Sequence, residues 1–82
     1  MYQIILSDKA KKQLEKLSPD IRDRIGNVLE RIKIRPYHFV KRKEGTPYFI
    51  ARIGEYRAIL HIFNDKLIVM VLEIGHRKNI YD

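Results

Sequence analysis

Two short turn signals, Gly54-Glu55 and Asn64-Asp65, cut the β-prone stretch of residues 48–74 into three pieces. Each is a two-residue connection of the type that closes tight hairpins. The chain from Tyr48 onward therefore has little choice but an antiparallel meander: Tyr48–Ile53, Tyr56–Phe63 and Lys66–Ile74. The last two pieces are apolar on both faces over much of their length, which suits strands in the middle of a sheet with one face covered.

The cover is supplied upstream. Tyr2 to Leu6 is a short extended run, closed by Ser7, whose hydroxyl can cap the helix that follows. That helix puts Ala10, Leu14 and Leu17 on one face and lysines on the other. Ser18-Pro19 ends it and starts a second, with Ser as cap and Pro at the first helical position. Ile21, Ile25, Val28, Leu29 and Ile32 form a single apolar stripe, and Pro36 stops the helix. Residues 36–47 read as a loop. The expected fold is α+β, in the order β-α-α-β-β-β, with a helical hairpin on one face of a small, mostly antiparallel sheet. One domain, 1–82, accounts for the whole chain.

Eighty-two residues leave a thin core and no room for a cofactor domain. Cysteine is absent, which removes disulfides, thiolate metal sites and a thiol nucleophile. The longest apolar run, Leu67 to Leu72, is too short to span a bilayer, and no leader pattern opens the sequence. A soluble cytoplasmic protein with no membrane partner is expected. The net charge is +7, and residues 31–58 carry eight basic side chains against Glu44 and Glu55 alone. A local excess of this kind marks a polyanion partner, although a merely solvated face would look the same.

Register gathers the cations. A two-residue turn at Gly54-Glu55 sets Arg52 opposite Arg57, a like-charge pair that destabilises a ladder and invites an external anion. A two-residue turn at Asn64-Asp65 brings Gly75 beside Gly54, so that Arg77, His76 and Tyr81 emerge at the same edge. Glu55 and Glu73 are the only carboxylates expected there, which argues against a two-metal nuclease. Ser7 and Ser18 are helix caps, and His38, His61 and His76 have no ligand spacing, so neither a serine triad nor a metal site is expected. Metal-free RNA cleavage remains, because RNA carries its own 2′-hydroxyl nucleophile and arginines can stabilise the charge that grows on phosphorus. Arginine stays protonated and is a poor base. For Tyr81, ionisation at neutral pH would cost about 4 kcal/mol.

The segment Arg52-Ile53-Gly54-Glu55-Tyr56-Arg57, the tail Ile74-Gly75-His76-Arg77-Lys78-Asn79-Ile80-Tyr81 and the opening Ser7-Asp8-Lys9-Ala10 resemble the RelE/ParE superfamily of toxins from type II toxin–antitoxin systems. The likeness covers essentially the whole chain, and the Arg-then-Tyr ending is similar to the RelE branch. It implies a ribosome-dependent messenger RNA endoribonuclease with no cofactor. In the residue roles it implies, Arg57 stabilises phosphate, and Arg77 stabilises charge and protonates the leaving group. Tyr81 orients the reacting nucleotide, and Arg52 assists from the facing strand. Lys41, Arg42, Lys43, His76 and Lys78 are the expected RNA contacts. Where some RelE-type toxins carry lysines early in that strand, this chain has Tyr48 and Ile50, which leaves the base open among Lys41, Lys43 and His76. The implied partners are a cognate antitoxin, the ribosome and messenger RNA. Two other readings stand beside it: a non-enzymatic gyrase poison on the same scaffold, and an RNA-binding module that never cleaves, with Tyr37, Phe39 and Tyr48 stacking bases.

Overall fold

In a computed structural model, residues 1–80 are described. The elements are β1 (Gln3–Leu6), α1 (Asp8–Glu15), α2 (Pro19–Ile34), a 3₁₀ turn (Pro36–His38), β2 (Val40–Arg42), β3 (Phe49–Ile53), β4 (Tyr56–Phe63) and β5 (Ile68–His76). They form one sheet in the order β1-β5-β4-β3-β2, with β1 parallel to β5 and every other pair antiparallel. The two-helix, mostly antiparallel architecture is as expected, with one addition. Within the stretch read as a loop, Val40–Arg42 pairs with β3 as an edge strand, Val40 opposite Ala51 and Arg42 opposite Phe49.

One face of the sheet carries the core. Ala51, Ile53, Ala58, Leu60, Val69, Val71 and Ile74 pack against Ala10, Ile25, Leu29 and Ile32 of the helices. Each Val, Leu or Ile side chain withdrawn from water in this way contributes about 1.5–3 kcal/mol. The expected stripe of α2 is the buried one, with Ile21 and Val28 flanking it in partly buried positions. Ser7 caps α1, its Oγ accepting from the Ala10 amide at 3.0 Å. Ser18 stands at the N-cap of α2 without a side-chain cap bond, and Pro19 at the first helical position with Asp20 in the first turn favours the start there.

The first hairpin closes as expected. Ile53 pairs with Tyr56 across Gly54-Glu55, and Gly54 takes φ 59°, the glycine-favoring first position of a type II′ turn. The second hairpin differs. Phe63 pairs with Ile68, so four residues, Asn64 to Leu67, make the connection, and Leu67 adopts φ 53°. Asn64, the first residue of this turn, is tied down: its Oδ1 accepts from the hydroxyls of Tyr2 and Tyr37 at 2.8 and 2.7 Å.

A β-bulge then re-phases β5. Leu60 pairs with Val71 but Ile59 with Glu73, which leaves Leu72 unpaired with β4. The extra residue lets both Val71 and Ile74 enter the core, where plain alternation would have sent Glu73. The Leu72 carbonyl accepts from Ser7 Oγ at 2.8 Å, and the Ile74 amide donates to Gln13 Oε1 at 2.7 Å. Helix α1 thereby satisfies the edge of β5 beyond the end of β1. Ser7→Ala removes both the cap and the bulge contact. It is expected to lower stability by about 1–2 kcal/mol in urea denaturation, and a loss under 0.5 kcal/mol would mean that water replaces the hydroxyl.

Candidate functional site

The four-residue loop and the bulge change what faces Arg57. Gly75 lies opposite Arg57, not beside Gly54, and His76 lies opposite Tyr56. Arg52 does lie opposite Arg57, on the sheet face turned away from the helices. There Arg57 is only 9% exposed, and its Nη1 donates to the carbonyls of Gly54 and Tyr56, both at 2.8 Å. A buried guanidinium is tolerable only with such hydrogen bonds. They also fix its direction, which a lysine in the same place could not match.

After β5 the chain turns back on itself. The amides of Asn79 and Ile80 both donate to the His76 carbonyl, at 2.8 and 3.2 Å. Ile80, 4% exposed, drops onto Gly75, and a Cβ at that glycine would stand 3.0 Å from Ile80 Cδ1. A side chain here would fit only if Ile80 gave way by a few tenths of an ångström. Arg77 is thereby brought to the first hairpin: its amide donates to the Glu55 carbonyl at 2.8 Å, and its Nη2 lies 3.6 Å from Glu55 Oε1. Arg57 and Arg77 thus meet adjacent residues of one turn, Gly54 and Glu55.

His76 packs edge-on against Tyr56, with ring centroids 5.5 Å apart. Its Nδ1 accepts from the Lys78 amide at 3.2 Å, and Nε2 faces Glu55 Oε2 at 3.5 Å. A nitrogen that accepts a hydrogen bond carries no proton, so the neutral ring bears its proton on the Glu55 side. Both nitrogens are engaged. Lys78 has its side chain in solvent. Tyr81 lies outside the described residues.

The basic run does not act as one block. Lys41 lies opposite Ile50 and so belongs to the same sheet face as Arg52 and Arg57, whereas Arg42, opposite Phe49, belongs to the helix face. Lys43 continues the pairing, its amide donating to the Tyr48 carbonyl at 3.0 Å. Lys41, Arg42, Glu44 and Gly45 line a broad depression of about 800 Å³ at this end of the sheet. The aromatic residues are engaged with one another: Tyr48 edge-on to His61 at 5.2 Å, and Tyr37 edge-on to Phe49 at 5.4 Å. His61 also packs against Phe63, with ring centroids 4.1 Å apart.

Sequence reasoning missed Gly75 and Ile80 as the seat of the tail, and Glu55 as its anchor. The available signal was Gly75 itself, since an isolated glycine in an apolar strand marks a bulge or a close approach. Gly75→Val is expected to unseat Ile80 at a cost of about 1–3 kcal/mol. Amide hydrogen exchange should then accelerate at Asn79 and Ile80 while β4 stays protected; unchanged protection at both would disprove the seat.

A family model described as the ParE toxin of the type II toxin–antitoxin system, parDE, matches residues 4–81. No curated protein sequence matches the chain significantly. Among solved structures, the chain is similar to one in the toxin–antitoxin complex RelBE2 of Mycobacterium tuberculosis, 28% identical with a TM-score of 0.83, covering 93% of this chain and 98% of that one. The archaeal RelE–RelB complex of Pyrococcus horikoshii matches with TM-score 0.83 at 22% identity, over 96% and 98% of the two chains. The intact RelBE complex of E. coli matches with TM-score 0.82 at 20% identity, over 93% and 96%.

Proposed function

We propose an activity from the premise that the chain belongs to the RelE/ParE family of toxins of type II toxin–antitoxin systems: it is a ribosome-dependent messenger RNA endoribonuclease of the RelE kind. The observation that carries this reading is the meeting of Arg57 and Arg77 at one turn, the first with its guanidinium fixed by two carbonyls, the second 3.6 Å from a displaceable carboxylate.

The chemistry needs little else from the protein. The 2′-hydroxyl of the messenger attacks the adjacent phosphorus and passes its proton to a base, left open among Lys41, Lys43 and His76, while the bond to the 5′-oxygen breaks and that oxygen takes up a proton from water. Negative charge builds on the non-bridging oxygens. Arg57 is preorganised to meet it, and Arg77 can approach from the tail. Arg52 and Lys41, on the same sheet face, extend the positive surface along which a single strand would run. In this reading Arg77 also hydrogen-bonds the leaving 5′-oxygen, and Tyr81 orients the nucleotide. The ribosome would hold the messenger in the geometry that so sparse a site does not impose by itself. The solved relatives are toxins described in complexes with antitoxins, which supports a cognate antitoxin here; a basic toxin favours an acidic one.

The ParE-type family model favours a second reading, a gyrase-directed poison that does not cleave. The two separate on mutation. Arg77→Ala is expected to lower messenger cleavage on programmed ribosomes about 10²–10³-fold while circular dichroism stays unchanged. Arg77→Lys should recover little, because a point-charge ammonium lacks the bidentate geometry. Tyr81→Phe divides stacking, which keeps activity, from hydroxyl chemistry, which loses it. Full cleavage by Arg77→Ala would remove this arginine from the mechanism, whereas arrest of replication with messenger uncut and translation intact would favour the gyrase reading.

A further inference from the structure

Glu55 is one of only two acidic residues among eight basic ones in the stretch 31–58, and it stands at the apex of the hairpin that carries Arg52 and Arg57. Three contacts from the tail converge on it. The Arg77 amide donates to its carbonyl at 2.8 Å, Arg77 Nη2 lies 3.6 Å from Oε1, and His76 Nε2 lies 3.5 Å from Oε2. A carboxylate of the wrong sign at the centre of a polyanion site needs a reason. The backbone bond holds the two residues together whatever the side chains do, so the ion pair is not needed to keep the tail in place.

We infer that Glu55 is a positioning residue for Arg77, whose carboxylate holds the guanidinium at the turn until a phosphate displaces it. The inference rests on the nuclease reading for its biological meaning, but not for its physical test. The strength of the pair suits an exchange. Both side chains are more than half exposed, 58% for Arg77 and 66% for Glu55, and exposed pairs of this kind contribute only about 0.2–1 kcal/mol. A phosphate bearing two acceptor oxygens can make the bidentate, charge-assisted contact that one Oε1 at 3.6 Å does not. His76 steadies the carboxylate from the other side. Its Nδ1 takes the Lys78 amide, which leaves the Nε2 proton directed at Oε2. Without Glu55 the guanidinium would be free to sample solvent, and the site would gain affinity for any anion while losing the resting position of its arginine.

The test uses the full chain and inorganic pyrophosphate, followed at the Arg77 Nε–H resonance by NMR. In the wild-type protein that resonance should move on titration. Glu55→Gln removes the competing charge and should tighten pyrophosphate binding about two- to fivefold, the range such a pair energy allows. Glu15→Gln, an equal change of charge on an exposed position of α1, should give a smaller gain. In Arg77→Ala the gain from Glu55→Gln should vanish, and Glu55→Asp should restore wild-type binding. Equal gains from Glu55 and Glu15, a gain that survives Arg77→Ala, or an Arg77 resonance that ignores pyrophosphate would each overturn the inference. A parallel cleavage assay on programmed ribosomes keeps the two claims apart, because an Arg77 that exchanges Glu55 for pyrophosphate in a protein that cuts no messenger leaves this inference standing and removes the nuclease reading.

Discussion

Strand β5 hydrogen-bonds on both sides, in parallel to β1 and antiparallel to β4, and it also takes helix α1 along its upper edge through Ser7 and Gln13. The bulge at Leu72 sets its phase. Upstream of the bulge, Val69 and Val71 face the helices; downstream, Ile74 does, so Gly75 falls on the opposite face, directly across from Arg57. A slip of one residue would exchange core and solvent faces. The position of the tail, and with it of Arg77, follows from this one irregularity.

The resulting site is built from backbone as much as from side chains. Carbonyls of Gly54 and Tyr56 aim Arg57, the carbonyl of Glu55 holds the Arg77 amide, and the carbonyl of His76 closes the turn that seats Ile80. A hairpin turn is a place where carbonyl groups leave the ladder unpaired, which makes it a natural holder for guanidinium groups. This arrangement concentrates cations without a metal-like cluster of acidic side chains among the described residues.

Much of the fold was legible in advance because its signals are local. The apolar stripe of α2, the Pro19 start and the Gly54-Glu55 turn each depend on a few neighbouring residues, and the Arg52–Arg57 pairing follows from the turn alone. The misses are all non-local. Val40–Arg42 is an edge strand made by main-chain pairing to β3, and its Val-Lys-Arg sequence has no alternation to reveal it. Asn64-Asp65 has the composition of a two-residue turn, but Asn64 is held by Tyr2 and Tyr37, distant in sequence, and the connection lengthens to reach Leu67 in a left-handed conformation. The displaced register of Gly75 combines this longer loop with the bulge. Of the candidate site, the composition and the Arg52–Arg57 pairing were readable and the other placements were not: Lys41 and Arg42 belong to different faces, and Glu55 became central only once the tail was seen to fold back.

In the proposed reaction, arginines at one turn promote attack by the messenger's own 2′-hydroxyl. The chemistry of the cut ends tests it most directly. Messenger cleaved by the purified protein on programmed ribosomes should end in a 2′,3′-cyclic phosphate on one fragment and a 5′-hydroxyl on the other, because the 5′-oxygen is the leaving group. A 3′-hydroxyl facing a 5′-phosphate would require an external water or metal-bound nucleophile and would contradict the account, as would messenger that stays uncut while the toxin arrests growth.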